Sequence, residues 1–223
     1  MPIQQVQVGA PSKTSLPAGA MPALPGGHQG EGIFSQLHGK YYNSNYYDQL
    51  YYSSNAAAGA AFTIFSNASY VGHFIWNPQG SGKNLSIAKV YFGFDAQAST
   101  AVGAFGYAWL VNAGASLATA APVSATTAIT ATRGSCKCGP PGQGNSVALT
   151  GSAATLTTAL TWGRAANVFG STGAITTEIA KGGMCDDVDG TMIVPPGTFW
   201  AVTTTILTGW TVSTTVIWEE LPL

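Results

Sequence analysis

Three cysteines and a short acidic run come nearest to a metal-binding pattern in this 223-residue sequence. One residue separates Cys136 from Cys138, and Cys185 is followed directly by Asp186 and Asp187. Thiolates and a carboxylate bind zinc when loops bring them together, although paired zinc cysteines are usually separated by about two to four residues. An odd number of cysteines forms no complete disulfide framework. Three alternatives therefore stay open: a structural metal ion, one disulfide between Cys185 and either of the other two, or three thiols.

The other acidic and histidine residues form no recognisable catalytic set. Residues 186–190 resemble part of a calcium loop but lack its final glutamate, so a polar turn before a strand explains them better. His73 lies in an apolar run and is predicted to be a sheet residue. Glu219 and Glu220 end the last predicted strand, where solvent-exposed charge is expected. Because phosphate-loop and dinucleotide-binding motifs are also missing, the sequence predicts neither an enzyme nor a cofactor.

The composition narrows the class of protein further. Only 8% of the residues are charged, against about 25% in a typical soluble protein. The net charge of −1 provides no basic surface for nucleic acid. Residues 96–132 are uncharged, but the Gly, Asn and Thr among them favour strands over a membrane-spanning helix. A surface so poor in charge is typical of a protein that neighbouring molecules cover.

Residues 1–55 are predicted to form an extended arm rich in Pro, Gly and Tyr. Five prolines within the first 25 residues exclude a stable helix. Further along, tyrosine doublets recur every five residues, which matches neither the helical period nor the strand period. We interpret these rings as anchors for neighbouring subunits, because tyrosine offers a large contact area at a low entropic cost; the alternative is that they cover their own domain. The predicted interface residues are Tyr41, Tyr42, Tyr46, Tyr47, Tyr51 and Tyr52.

Residues 56–223 are predicted to form one all-β domain, a β-sandwich or jelly-roll-like fold. Short β-rich runs alternate there with breaks of Gly, Pro, Ser and Asn, and no long helical pattern interrupts them. Residues 77–82 are a predicted turn, and residues 133–147 a long loop. Strands are predicted at residues 61–65, 70–76, 85–94, 101–111, 126–130, 155–162, 175–179 and 192–194.

The end of the chain carries the clearest strand pattern. Residues 200–206 and 210–218 each place Trp, Val, Thr or Ile at every second position, as a strand with one buried face does. Thr208 and Gly209 between them have the length of a tight turn, so the two runs predict a hairpin at the centre of the core. The residues predicted to face the core are Trp200, Val202, Thr204, Ile206, Trp210, Val212, Thr214, Val216 and Trp218.

The start MPIQQVQVGAP, the run GIFSQLHGKYY and the end IVPPGTFWAV…WEELPL resemble tailed-bacteriophage virion proteins. The similarity is to small β-sandwich proteins that decorate or cement capsids or belong to tails, and it rests on segment order and composition. The resemblance implies a non-enzymatic structural protein of the virion, made in the host cytoplasm. It also implies a homo-oligomer, with a trimer favoured, bound to other virion proteins such as the major capsid protein. The alternative is a tail fibre or spike module that binds host carbohydrate.

Overall fold

The computed structural model describes residues 6–8, 24–26, 40–41, 44–45, 48–55, 60–97, 102–111, 132–137, 146–170, 183–205 and 210–223. The chain divides into two units, residues 1–42 and residues 43–223. In the first unit Val6–Val8 (β1) pairs in parallel with Leu24–Gly26 (β2).

The second unit consists of two antiparallel sheets. Its strands, within the described residues, are Leu50–Ser54 (β3), Ala60–Ala61 (β4), Ser69–Asn77 (β5), Lys83–Gln97 (β6), Val102–Val111 (β7), Thr132–Ser135 (β8), Leu149–Thr155 (β9), Thr161–Gly170 (β10), Gly183–Asp187 (β11), Ile193–Val194 (β12), Thr198–Thr204 (β13) and Trp210–Pro222 (β14). The five-stranded sheet has the order β10-β7-β13-β5-β9, and the seven-stranded sheet the order β11-β6-β14-β3-β8. In the seven-stranded sheet, β12 also pairs with β6, and β4 pairs with β14. The predicted all-β sandwich is confirmed.

Eight of these strands have the connectivity of a jelly roll. One sheet contains the order β3-β14-β6-β11 and the other the order β5-β13-β7-β10, so the chain passes from sheet to sheet as it does in two interlocked Greek keys. Two further strands, β8 and β9, lie between β7 and β10 in the sequence. They add one edge strand to each sheet, β8 beside β3 and β9 beside β5.

The main core lies between the inner faces of the two sheets. Trp200 and Val202 of β13 contribute from one sheet, and Val212, Val216 and Trp218 of β14 from the other. The outer face of the five-stranded sheet is also covered. There Phe199 and Ala201 pack in a second apolar cluster with Tyr70, Phe74, Ala108, Ala154, Leu156 and Leu160.

The predicted C-terminal hairpin is wrong. β13 and β14 lie in different sheets and face each other across the core. A two-residue period identifies a buried face but not which sheet a strand joins, so consecutive strands with matching inner faces suit either arrangement. The single buried face predicted for β14 is correct, whereas every residue of β13 is buried, because the second cluster covers its outer face.

Four other predictions need correction. Of the strand predicted at residues 61–65, only Ala61 lies in a strand, β4. Residues 155–162 are mainly the connection between β9 and β10, and residues 132–135 form β8 where a loop was predicted. The arm was predicted to reach residue 55, yet β3 is an internal strand between β14 and β8. Ser53 of β3 and Asn55 directly after it are buried, and these small polar residues hid the alternation in the sequence. The strands predicted at residues 126–130 and 175–179 lie outside the described residues.

Candidate binding site

The tyrosine doublets do not share one environment. Tyr51 is only 2% exposed, stacks on Trp218 with ring centroids 6.2 Å apart, and donates its hydroxyl to the Asp48 carbonyl at 2.6 Å. The interface prediction is therefore wrong for Tyr51, which belongs to the core of its own domain. Tyr52 and Tyr41 are half-buried. The other predicted interface residues, Tyr42, Tyr46 and Tyr47, lie outside the described residues.

The order of the strands separates two of the three cysteines. Cys136 directly follows β8 and Cys185 lies in β11, and these strands form opposite edges of the seven-stranded sheet. Four strand spacings of about 4.8 Å make this separation about 19 Å, whereas a disulfide requires Cα atoms within about 7 Å. A disulfide or a shared zinc ion therefore cannot join Cys136 to Cys185. Cys138 lies outside the described residues, and the described part of the chain contains no group of three metal-ligating side chains.

Asp186 holds the two sheets together at one edge of the sandwich. One nitrogen of the Arg164 guanidinium donates to its two oxygens at 2.7 and 2.8 Å, and the Tyr107 hydroxyl donates to Oδ2 at 2.7 Å. Arg164 and Tyr107 belong to the five-stranded sheet, and Asp186 belongs to the other. Burial and this carboxylate raise the pKa of Tyr107, so its phenol stays a donor. These contacts explain Asp186 without a calcium ion.

Replacing Arg164 by Met is expected to lower the free energy of unfolding by about 1–2 kcal/mol, because a charge-assisted contact between the sheets is lost while the aliphatic stem is kept. Urea denaturation measures this change. The matched control is Lys89→Met, which removes the more exposed ion pair with Asp187 and should leave the unfolding midpoint unchanged. Equal losses in both variants would contradict a special role for the Arg164–Asp186 contact.

His73 is fully buried and joins the two sheets through hydroxyl groups. Its Nδ1 lies 2.8 Å from Thr214 Oγ1 and its Nε2 lies 2.9 Å from Ser53 Oγ. His73 is on β5, as the sequence predicted, and both partners are on the seven-stranded sheet. Burial lowers the pKa of His73 from its ordinary 6.5 to about 3, so the ring is neutral near pH 7. Both ring nitrogens are used inside the domain, which makes His73 a structural residue.

Glu220 is also buried, against the predicted solvent exposure. Its side chain is only 1% exposed and accepts hydrogen bonds from Lys83 Nζ at 2.8 Å, Ser146 Oγ at 2.6 Å and the Val147 backbone N–H at 3.0 Å. The two-residue period that places Trp218 in the core also places Glu220 there. The carboxylate thus fixes residues 146–147 to the end of β14 and has a structural role.

An apolar pocket of about 270 Å³ lies where β12 approaches the five-stranded sheet. It is lined by Trp109 and Val111 of β7, Thr198 and Trp200 of β13, and residues 191–195. Trp109 packs against a glycine of β10: a Cβ at Gly163 would lie only 1.7 Å from Trp109 Cζ3. Because Ile193 and Val194 of β12 belong to the seven-stranded sheet, side chains from both sheets form the pocket.

Two residues that line the pocket each have a buried polar atom without a hydrogen-bond partner in the described part of the chain. The Trp200 Nε1 and Thr198 Oγ1 atoms are buried and have no hydrogen-bond partner in the described part of the chain. None of the lining side chains is charged, and Val111 and Ile193 are 50% and 58% exposed. Buried donors are almost always paired. The pocket therefore suits an uncharged, largely apolar group.

The sequence did not reveal this pocket, because Trp109 and Trp200 lie on strands far apart in the chain and looked like ordinary core residues. No known protein family, curated protein or solved structure matches the chain. Across the described ranges, no helix is long and apolar enough to span a membrane. Since one fold serves many functions, function must be argued from the surfaces and the pocket themselves.

Proposed function

We propose that this chain is a non-enzymatic structural protein of a phage particle that decorates or cements the capsid. The observation that carries the proposal is the outer face of the seven-stranded sheet. Along β14 the buried residues alternate with half-exposed ones, and the latter form a row of hydroxyl and apolar side chains. The outward residues of this row are Thr211, Ser213, Thr215 and Ile217, and the charged Glu219 follows at its end.

The neighbouring strands continue this weakly charged face. Ser54 of β3 hydrogen-bonds to Thr215 at 2.8 Å, and Tyr91 of β6 is 42% exposed beside Thr215. Lys89 and Asp187 also lie on this part of the sheet, but they neutralise each other at 2.5 Å. Interface cores are depleted in charge and enriched in tyrosine, since such surfaces lose little hydration when another protein covers them. The face thus supports docking on a second protein surface.

The fold is compatible with this role by analogy alone. Jelly rolls occur in viral capsid proteins, but also in lectins and cupins, so the fold does not select among these functions. The proposal includes a homo-oligomer, with a trimer favoured, whose contacts reach the major capsid protein. Light scattering coupled to gel filtration tests the trimer directly, because its mass would be three times the 22.8 kDa of one chain.

Cryo-electron microscopy of the tailed-phage particle whose genome encodes this chain is the decisive experiment. We expect ordered density of the domain on the capsid, and we expect Tyr91→Lys to reduce its occupancy because a charge enters the docking face. Val71→Lys is the matched control, because Val71 is a comparably exposed apolar residue, at 39%, on the other sheet. Full occupancy with Tyr91→Lys, or no density on the particle at all, would overturn the proposal.

The second candidate is a tail fibre or spike module that binds host carbohydrate. The half-buried Trp109 beside an open pocket favours it, because an indole ring offers an apolar surface to the face of a sugar. In the same cryo-electron microscopy experiment this candidate predicts density on the tail and none on the capsid.

A further inference from the structure

We infer that β9, one edge of the five-stranded sheet, pairs with β9 of a second copy of this chain in an antiparallel arrangement. The five-stranded sheets of the two copies then continue into each other. The inference rests on the proposed function, because it names a contact through which copies of a structural protein join. It goes beyond that function in assigning the contact to one strand and to one arrangement of strands.

Three of the four strands at the sheet edges have features that oppose pairing with another chain. Within the described residues, these edges are β10 and β9 in one sheet and β11 and β8 in the other. Charged residues occur in β11, which ends in Asp186 and Asp187, and in β8, which contains Arg133. β10 contains Arg164 and two bulges, since its register with β7 shifts twice. Natural proteins commonly use charges and bulges to prevent association at a strand edge.

β9 has none of these features. Its sequence, LTGSAAT, includes no charge and no proline. Its register with β5 shifts once, but the additional residue lies on β5, where Val71 and Phe74 pair with Ala153 and Gly151. The described part of the chain places no strand on the outer side of β9. A regular, uncharged edge strand is a template for pairing with another strand, so residues 150–154 are a candidate contact.

The side chains of β9 hold the strand in place without bulky groups at its centre. Ala154 is buried, and the Phe74 ring lies over Gly151, where an added Cβ would come within 2.6 Å of the ring. Ser152 and Ala153 are half-exposed and small. Because packing against its own domain already orders this strand, pairing with a second strand loses little conformational entropy.

The absence of charge on β9 favours a second copy as the partner. A charged strand would lose the hydration of its charges without meeting an opposite charge on β9. In an antiparallel pair about a two-fold axis at Ser152, residues 150–154 all face residues of the same uncharged strand. The same arrangement at β11 would bring like charges into one contact, which destabilises a pair of strands. A two-fold contact is also compatible with the proposed trimer, because it joins a subunit of one trimer to a subunit of the next.

Hydrogen exchange on the full-length protein tests the inference, because pairing protects the β9 amides that point away from β5. Exchange at residues 150–154 should become slower as the protein concentration rises. Ala153→Lys should weaken the pairing by about tenfold, since it brings a positive charge from each copy close to the axis. Ala153 pairs with Val71, which is 39% exposed, so the lysine reaches solvent in a single copy. The matched control is Ala165→Lys, the same change at an exposed position on the opposite edge of this sheet, and it should have no effect.

A cysteine at the two-fold axis provides a second test. With Cys136, Cys138 and Cys185 replaced by Ser, Ser152→Cys should form a disulfide between copies under mild oxidation. Directly opposite residues of antiparallel strands have Cα atoms about 4.5–5.5 Å apart, which suits a disulfide. Ala165→Cys in the same background should not form one. Absence of the Ser152→Cys disulfide overturns the inference.

The exchange experiment can overturn the inference as well. Exchange at residues 150–154 that does not depend on protein concentration, or that slows equally in wild type and Ala153→Lys, contradicts pairing at β9. Tyr91→Lys changes the other sheet and should leave this exchange unchanged. Pairing at β9 without density on the particle would therefore refute the proposed function alone, whereas density on the particle without pairing would refute this contact alone.

Discussion

At pH 4.5 the domain is expected to have lost about 2–3 kcal/mol of its free energy of unfolding relative to pH 7, through His73 alone. The cause is the pKa of about 3 that burial imposes on this ring, against 6.5 in the unfolded chain. Between these two values the unfolded chain binds a proton that the folded chain excludes, so acid favours unfolding. The contribution is complete above about pH 6.5 and is lost progressively down to about pH 3.

His73→Gln isolates this effect. The amide cannot be protonated in this range but retains a donor and an acceptor for Ser53 and Thr214. Urea unfolding at pH 7 and pH 4.5 should show the additional loss of free energy of unfolding at the lower pH in the wild type and not in the variant. This comparison does not depend on how much the substitution destabilises the domain at pH 7. Should the variant fail to fold, the imidazole NMR signals of the wild type give the answer: a His73 titration near pH 6 would refute the prediction.

The second large effect is expected at Glu220. Glu220→Ala should lower the free energy of unfolding by about 3 kcal/mol, because Lys83, the Ser146 hydroxyl and the Val147 N–H all lose a buried acceptor. Chemical denaturation measures the loss. Loss of this acceptor should also release residues 146–147, which faster hydrogen exchange at the Val147 amide would report.

The neighbouring Glu219 provides the matched control for this prediction. Glu219 is half-buried and accepts one side-chain hydrogen bond, from Ser44 at 2.5 Å. Glu219→Ala should therefore cost less than about 1 kcal/mol. If the two variants lose the same free energy, the buried network around Glu220 does not contribute as its geometry indicates. Glu220→Gln should fall between them, since the amide oxygen still accepts but the charge is lost.

Local patterns predicted the positions of several strands correctly. The predicted runs 70–76, 85–94 and 101–111 fall within β5, β6 and β7, apart from Ala101 at the boundary. The predicted turn at residues 77–82 has its glycines Gly80 and Gly82 at positive φ. These features depend on the alternation of apolar residues and on the positions of glycines. Both can be read from short stretches of the sequence.

Features that depend on distant parts of the chain could not be predicted in this way. Packing between the two sheets determines which strands β13 and β14 pair with. The alternation within each strand does not specify those partners. The pocket brings together residues from β7, β12 and β13, so only the folded structure shows it. The same is true of the buried polar atoms of Trp200 and Thr198, which have no hydrogen-bond partner in the described part of the chain. The alternation of β14 places Glu220 in the core, but its charge predicted exposure because glutamate is rarely buried unless it is paired.

The position of β14 has a consequence for how the protein is made. This 13-residue strand is central in its sheet, between β6 and β3, yet it is the last element of the chain. While the ribosome is still adding these residues, β6 and β3 have no strand between them, and the inner residues of the other sheet lack the β14 side chains against which they pack. Synthesis of β14 must therefore precede closure of the sandwich, and the nascent chain passes through a stage in which open strand edges need protection from other chains.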